Sequence, residues 1–373
     1  MLGTSPISPP LPRSCPMPRR RTFLRVTAAA AAVTALLAPS ATAAPRPDTV
    51  RQGLSALVRT DHLPGALATV TDRDGRTRTY TAGAEDGQVR IGSNTKTFTA
   101  VVVLQLVGEG RIGLDTTVDT YLPGLVPGEG ITVRQLLQHT SGLPDYEEDV
   151  SDAILRRRYF EPRDVLDIAL RHKAAFPPGT SWAYSNTNYV VAGLIVQKVT
   201  GRPLAEEIDR RVIRPLGLRH TYFPAAGDTT IREPHPRGHH QDSPGAPLRD
   251  VTDIDPSAAW AAGQMISTNS DLNRFFTALL AGDLLRPAQL AQMRTTIPLG
   301  DSGAGYGLGL MSRPLSCGGL YWGHGGDITG YETRGGVTED GRAANVTVTV
   351  DPTDGATTKH VEALVDTALC RSA

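Results

Sequence analysis

Between residues 45 and 62, apolar positions recur at helical spacing through Val50, Leu54, Leu57 and Val58, which predicts an amphipathic helix. Two β segments, Gly65–Thr71 and Thr77–Ala82, flank the turn Asp72-Arg73-Asp74-Gly75. After Gly92 the rhythm becomes helical again, with Phe98, Val101, Val102, Gln105 and Leu106 at three- and four-residue steps and Gly108-Glu109-Gly110 as the stop. The stretch 111–275 reads as mostly helical, over Val133–His139, Ser151–Tyr159, Arg163–Lys173, Asn188–Thr200, Leu204–Ile213 and Ser270–Ala281. Thr268-Asn269-Ser270-Asp271 has the pattern of a cap for the last of these. β patterning returns at Leu320–Trp322, Ile328–Gly335 and Ala344–Val350, and a helix is predicted over Gly355–Leu369. This order predicts an α+β fold: an antiparallel sheet drawn from both ends of the chain (about 44–110 and 285–373), flanked by helices, with a mostly helical lobe (about 111–284) inserted.

Residues 1–43 break the pattern. Arg19-Arg20-Arg21-Thr22-Phe23-Leu24-Arg25 precedes an Ala/Val/Leu run, and Ala41-Thr42-Ala43 offers a small-residue cleavage site. This is the composition of a secretory signal, of twin-arginine type around Arg20-Arg21, and Met17 opens such a signal as well as Met1 does. The apolar run is too short to span a membrane, and no second one is long enough to anchor the chain. The domain over 44–373 is therefore expected to be exported, without a stable membrane anchor, and monomeric.

Charge excludes one class of partner. The full sequence balances 38 Lys+Arg against 38 Asp+Glu, and losing the five leader arginines leaves 33 basic residues, a net of −5 that argues against nucleic acid. Cys15 falls in the leader, so an exported domain keeps Cys317 and Cys370, which are expected to form one disulfide. Residues 224–256, rich in Pro, Gly, His and Asp, read as a long surface loop or irregular hairpin. Its His235, His239, His240, Asp250, Asp253 and Asp255 match no metal-ligand spacing, so neither metal nor cofactor is expected.

Candidate chemistry begins at the predicted helix after Gly92. Ser93 stands at its start and Lys96 one turn on, on the same side. A serine hydroxyl needs a base to become a nucleophile, and a lysine serves once burial or the positive end of a helix lowers its pKa. The alternative is a serine N-cap followed by a surface lysine. Composition bears on the choice: the chain has only four lysines (Lys96, Lys173, Lys198, Lys359) and otherwise uses arginine, so a lysine here implies an amine that must deprotonate. Tyr184-Ser185-Asn186 leads into another helix, and offers either a proton-exchanging phenol with a binding amide or a core tyrosine with a cap. Gly323-His324-Gly325-Gly326-Asp327 lies between β segments, either as an edge strand open to a substrate backbone or as an ordinary hairpin.

Taken together, Ser93-x-x-Lys96, Tyr184-x-Asn186 and His324-x-Gly326 resemble the three signatures of the penicillin-recognising serine hydrolases, the group of class C β-lactamases and the Streptomyces-type D-alanyl-D-alanine carboxypeptidase. The resemblance extends to Gln135-Leu136-Leu137-Gln138-His139-Thr140-Ser141-Gly142-Leu143, Pro178-Gly179-Thr180, Ala262-Gly263 and Tyr306-Gly307-Leu308-Gly309-Leu310. Cys317 and Cys370 look like the carboxypeptidase's disulfide pair, and His324 in place of the lactamase lysine also favours the peptidase side. The resemblance implies an acyl-serine mechanism. Ser93 is the nucleophile, Lys96 and Tyr184 share the proton traffic, and the Ser93 and Asp327 N–H groups form the oxyanion hole. Asn186, His324, Gly325, Gly326 and Asp327 bind the substrate: a peptide, amide or ester, including a peptidoglycan stem peptide or a β-lactam.

The pattern breaks at the leaving-group side. Where the carboxypeptidase carries two threonines and an arginine for a terminal carboxylate, this chain has Gly325, Asp327 and Met311. An anion beside that carboxylate costs roughly 1 kcal/mol at 4 Å in water and more when buried. Arg313 is the residue placed to compensate. The expected activity is that of a D-alanyl-D-alanine carboxypeptidase-like serine hydrolase. The alternatives are an esterase or D-peptide amidase or aminopeptidase on the same scaffold, and a penicillin- or peptidoglycan-binding protein that turns over poorly.

Overall fold

The computed structural model describes residues 48–126, 130–149 and 157–371, so the predicted leader and all but the end of the predicted helix Ser151–Tyr159 lie outside the described residues. Helix α1 (Thr49–Arg59) starts at Asp48, whose carboxylate accepts from the Val50 and Arg51 N–H groups, and buries Val50, Leu54 and Leu57. Strands β1 (Ala66–Thr71) and β2 (Thr77–Ala82) form the predicted hairpin. Short β3 (Val89–Arg90) then leads into α2 (Asn94–Gly108).

Helix α2 forms where the rhythm predicts it, and nearly every side chain from Asn94 to Leu106 is buried, so it is a central helix. Three threonines make that burial tolerable by bonding to neighbouring loops. Thr95 Oγ1 accepts from Met265 N–H, Thr97 donates to Gly309 O and Thr99 to Ala261 O. The short α3 (Val133–Leu137) packs on α4 (Asn186–Thr200), and α4 and the short α5 (Trp260–Gly263) pack against α2. The extended β4 (Ile266–Ser267) pairs with β3, and Thr268 caps α6 (Asn269–Ala281) through Asp271 N–H, as its sequence predicts.

The C-terminal part supplies β5 (Ile297–Pro298), β6 (Gly305–Tyr306), β7 (Met311–Pro314), β8 (Leu320–Gly323), β9 (Gly326–Ile328), β10 (Tyr331–Thr338) and β11 (Ala343–Val348). With β1 and β2 they form a nine-stranded antiparallel sheet in the order β2-β1-β11-β10-β8-β7-β6-β5, with β9 paired to β10 off that path. The predicted single strand Ile328–Gly335 is in fact two, because Gly330 (φ 97°) turns the chain back between β9 and β10. Terminal helix α7 (Gly355–Cys370) packs with α1 on one face of the sheet, over Ala66, Ala68, Val346 and Val348. Helix α6 covers the other face through polar ties: Asn273 Nδ2 donates to Thr69 O and Thr347 Oγ1 to Asn269 Oδ1. Cys317 and Cys370 are joined, with Sγ atoms 2.10 Å and Cα atoms 5.6 Å apart.

Residues 224–256 form an irregular segment with many exposed positions and one short hairpin, tied down at several points. The buried Arg90 guanidinium donates to Thr229 O (2.6 Å) and Thr252 O (3.1 Å), and Tyr331 donates to Pro236 O (2.7 Å). His239 and His240 pair with Asp250 and Arg249, and His239 N–H bonds Thr349 O. Arg90 thus anchors the segment as the wall of a cavity.

Candidate active site

Ser93 occupies the N-cap position of α2 in αR geometry (φ −61°, ψ −9°), yet its side chain makes no capping bond. Its hydroxyl is free of the helix and lies 2.9 Å from Lys96 Nζ. Lys96 is fully buried, and its other contacts are Asn186 Oδ1 at 2.6 Å and Ala262 O at 2.8 Å. Desolvation lowers its pKa to about 7, against a smaller opposing pull from Glu147, Asp145 and Asp327.

The Asn186 amide is oriented by a residue that sequence reasoning missed. Asp145 Oδ2 accepts from both Asn186 N–H and Asn186 Nδ2, each at 3.0 Å, which leaves Oδ1 to face Lys96. A neutral lysine has two N–H bonds, and both meet atoms that only accept: Asn186 Oδ1 and Ala262 O. The remaining lone pair faces the Ser93 hydroxyl. Tyr184 also bonds Ser93, and its ring centroid lies 4.8 Å from Lys96 Nζ. Burial holds the phenol well above its ordinary pKa, so it stays protonated.

On the opposite side β9 presses against the serine turn. A Cβ on Gly92 would lie 2.6 Å from Asp327 O and 2.9 Å from Asp327 N, and one on Gly326 would meet Ile91 O at 2.0 Å. Only glycines permit that approach, which sets the Asp327 backbone beside Ser93. A cavity of about 360 Å³ opens from Ser93, at the small end for ligand sites. Asn186, Ala262, Asp327 and Thr329 line it, with Ile254, Asp255 and Pro256 from the Arg90-anchored segment. Among the described residues its charged lining is acidic, namely Glu147, Asp255, Asp327 and Asp351, with no lysine or arginine.

His324 and Gly325 sit differently from their expected role against substrate. They border a separate narrow crevice with Met311, Arg313 and Arg334, and desolvation pushes His324 down to about 3, so it is neutral. Asp327 is not a bare anion, because Arg334 Nη1 lies 2.6 Å from its carboxylate. Arg313, expected to compensate for the missing arginine, is held by Glu362 at 2.9 Å. Arg334 also sits 3.5 Å from buried Glu332, whose pKa desolvation raises to about 7. One oxygen each of Asp327, Glu332 and Asp351 lie within 4.8 Å of one another, and the Arg334 guanidinium meets the first two. Asp145 lay within reach of sequence reading, directly after the Gln135–Leu143 segment; Arg334 carried no local signal.

The family description Beta-lactamase matches residues 48–367. A D-stereospecific amidohydrolase from Streptomyces sp. is 41% identical and superposes with a TM-score of 0.81 over 88% of this chain and 100% of its own. The D-amino acid amidase of Ochrobactrum anthropi, complexed with L-phenylalanine, is 27% identical with a TM-score of 0.76, over 85% of this chain and 96% of its own. Putative penicillin-binding protein PbpX of Bacillus subtilis is 30% identical over 63% of this chain, which spans only 55% of that relative's length.

Proposed function

The chain belongs to the beta-lactamase family, and from that premise we propose that it is a D-stereospecific amidohydrolase, cleaving amides or esters of D-amino acids that carry a free amine. The observation that carries this reading is the charge of the cavity: an acidic lining around Ser93, with both nearby arginines tied to carboxylates. Such a cavity attracts an ammonium and opposes a terminal carboxylate. Similarity to a D-stereospecific amidohydrolase and a D-amino acid amidase supports the same choice over carboxypeptidase.

In this mechanism neutral Lys96 takes the Ser93 proton as Oγ attacks the carbonyl. The Ser93 and Asp327 N–H groups stabilise the oxyanion. The protonated Tyr184 phenol gives its proton to the leaving amine and is refilled from Lys96, and water then releases the acyl group. The leader sequence over 1–43 and the Cys317–Cys370 bond support export of the enzyme.

The test is kcat/KM on a D-amino-acid amide, its L-enantiomer, its N-acetyl derivative and D-Ala-D-Ala as the free acid. The free-amine D-amide is expected to lead, with N-acetylation costing on the order of tenfold, about 1.4 kcal/mol. Preference for the free acid would overturn the reading, and Ser93→Ala should abolish turnover. Similarity to PbpX makes a β-lactam a second acylating reagent, checked by mass spectrometry of the Ser93 adduct.

A further inference from the structure

We propose that His139 and Tyr306 are positioning residues: with His324 they form a one-directional hydrogen-bond chain tying Ser185, the middle of Tyr184-Ser185-Asn186, to Gly325, the middle of His324-Gly325-Gly326. The chain would hold the phenol and the oxyanion backbone at a fixed separation. Its consequence for rate rests on the acyl-serine reading above; its existence does not.

The direction follows from the two ends, where backbone groups allow no choice. Ser185 N–H can only donate, and it meets His139 Nδ1 at 3.2 Å. Asn188 Nδ2 is 3.1 Å from the same nitrogen, and its amide is oriented because Asn188 Oδ1 accepts from Ser141 Oγ. His139 Nδ1 is therefore a lone pair, and in a neutral ring the hydrogen sits on Nε2, 3.0 Å from Tyr306 Oη. At the far end Gly325 O can only accept, so His324 Nδ1, 2.5 Å away, carries the hydrogen. His324 Nε2 must then accept from Tyr306 Oη at 2.9 Å. Tyr306 receives from one ring and donates to the other, so both ends impose the same polarity.

All three side chains are buried, which strengthens each bond and makes each missing partner costly. Burial also holds both imidazoles neutral, as the assignment needs. His139 adopts φ 61°, an unfavourable conformation outside glycine, which orients its ring between Ser185 and Tyr306. The three rings enclose the Tyr184 ring, with centroids at 4.3, 6.4 and 6.5 Å for His139, Tyr306 and His324.

The test joins a spectroscopic and a kinetic measurement on the intact protein. In ¹⁵N-histidine-labelled wild type, the two buried rings should show opposite tautomers, Nε2–H for His139 and Nδ1–H for His324, both neutral from pH 5 to 8. Burst acylation by a D-amino-acid p-nitrophenyl ester is then compared in Tyr306→Phe, His139→Asn and the double variant. Asparagine suits the positive φ and can still accept from Ser185, but it cannot reach Tyr306. Each single change should slow acylation by on the order of tenfold with a smaller effect on KM, and the double should be no slower than either single, since a chain is broken only once. Like tautomers in wild type, unchanged acylation in a folded variant, or fully additive losses would overturn the proposal. If Tyr306→Phe fails to fold, the wild-type tautomers decide alone. A wild type that is never acylated counts against the preceding reading, and the tautomers still judge the chain.

Discussion

At the residue scale, Lys96 decides the chemistry, because a base must be neutral at the moment it is used. Burial brings its pKa to about 7, so kcat/KM should rise with pH through an inflection near 7 and level off above it. Lys96→Arg keeps the charge but cannot deprotonate, and is expected to lose at least 10³-fold in acylation, read by the ester burst. Asp145 attracts the ammonium form and so raises the Lys96 pKa; Asp145→Asn should therefore move that inflection to lower pH. An unmoved inflection would mean that Asp145 holds Asn186 without acting on Lys96. The Ser93 and Lys96 pair was legible in the sequence because three residues on a helix is a local distance. The orientation of Asn186 by Asp145 spans 41 positions and exists only after folding. The same limit explains Arg313 and Asp327: read singly they were a spare cation and a bare anion, while the fold supplies Glu362 and Arg334 as partners.

At the scale of elements, helix α2 and strand β9 form the site by touching, and two glycines set how closely. Gly92→Ala would add a Cβ 2.6 Å from Asp327 O at φ 47°. Gly110→Ala meets nothing within 4 Å at φ 73°, so it isolates the cost of backbone strain alone. Both should lower stability by roughly 1 kcal/mol or more in chemical denaturation, but only Gly92→Ala should also lose acylation. Equal acylation in the two variants would show that β9 need not lie against the serine turn. Periodicity found most elements, α2 among them, and misjudged β9 for a physical reason. β9 is three residues long and its turn at Gly330 is set by pairing with β10, which no short window contains. The 224–256 segment carries the short hairpin its composition allowed, but its tie to buried Arg90 joins distant positions and left no local signal.

At the scale of the whole molecule, the sheet joins distant parts of the chain: β1 pairs with β11, and α1 packs beside α7. That arrangement was readable from the order of strands and helices, but its register was not, because registry depends on which face each partner buries. It leaves the C-terminal helix as the cover of one sheet face, and two ties hold its end. Cys370 is bonded to Cys317 in the turn after β7, and Ser316 N–H donates to Asp366 at 2.8 Å. The disulfide closes a separation of 53 residues, which the chain-entropy estimate values at roughly 4 kcal/mol. Spread over more than 300 ordered residues at about 2 cal/mol/K each, that is a Tm shift of about 6 °C. Cys317→Ser with Cys370→Ser should therefore melt about 6 °C lower by calorimetry while acylating at an unchanged rate at 25 °C. The site hangs on α2, α4 and the β8–β10 edge, none of which carries the bridge, so a loss of acylation in the folded double variant would mean that helix α7 positions the catalytic face as well as covering the sheet.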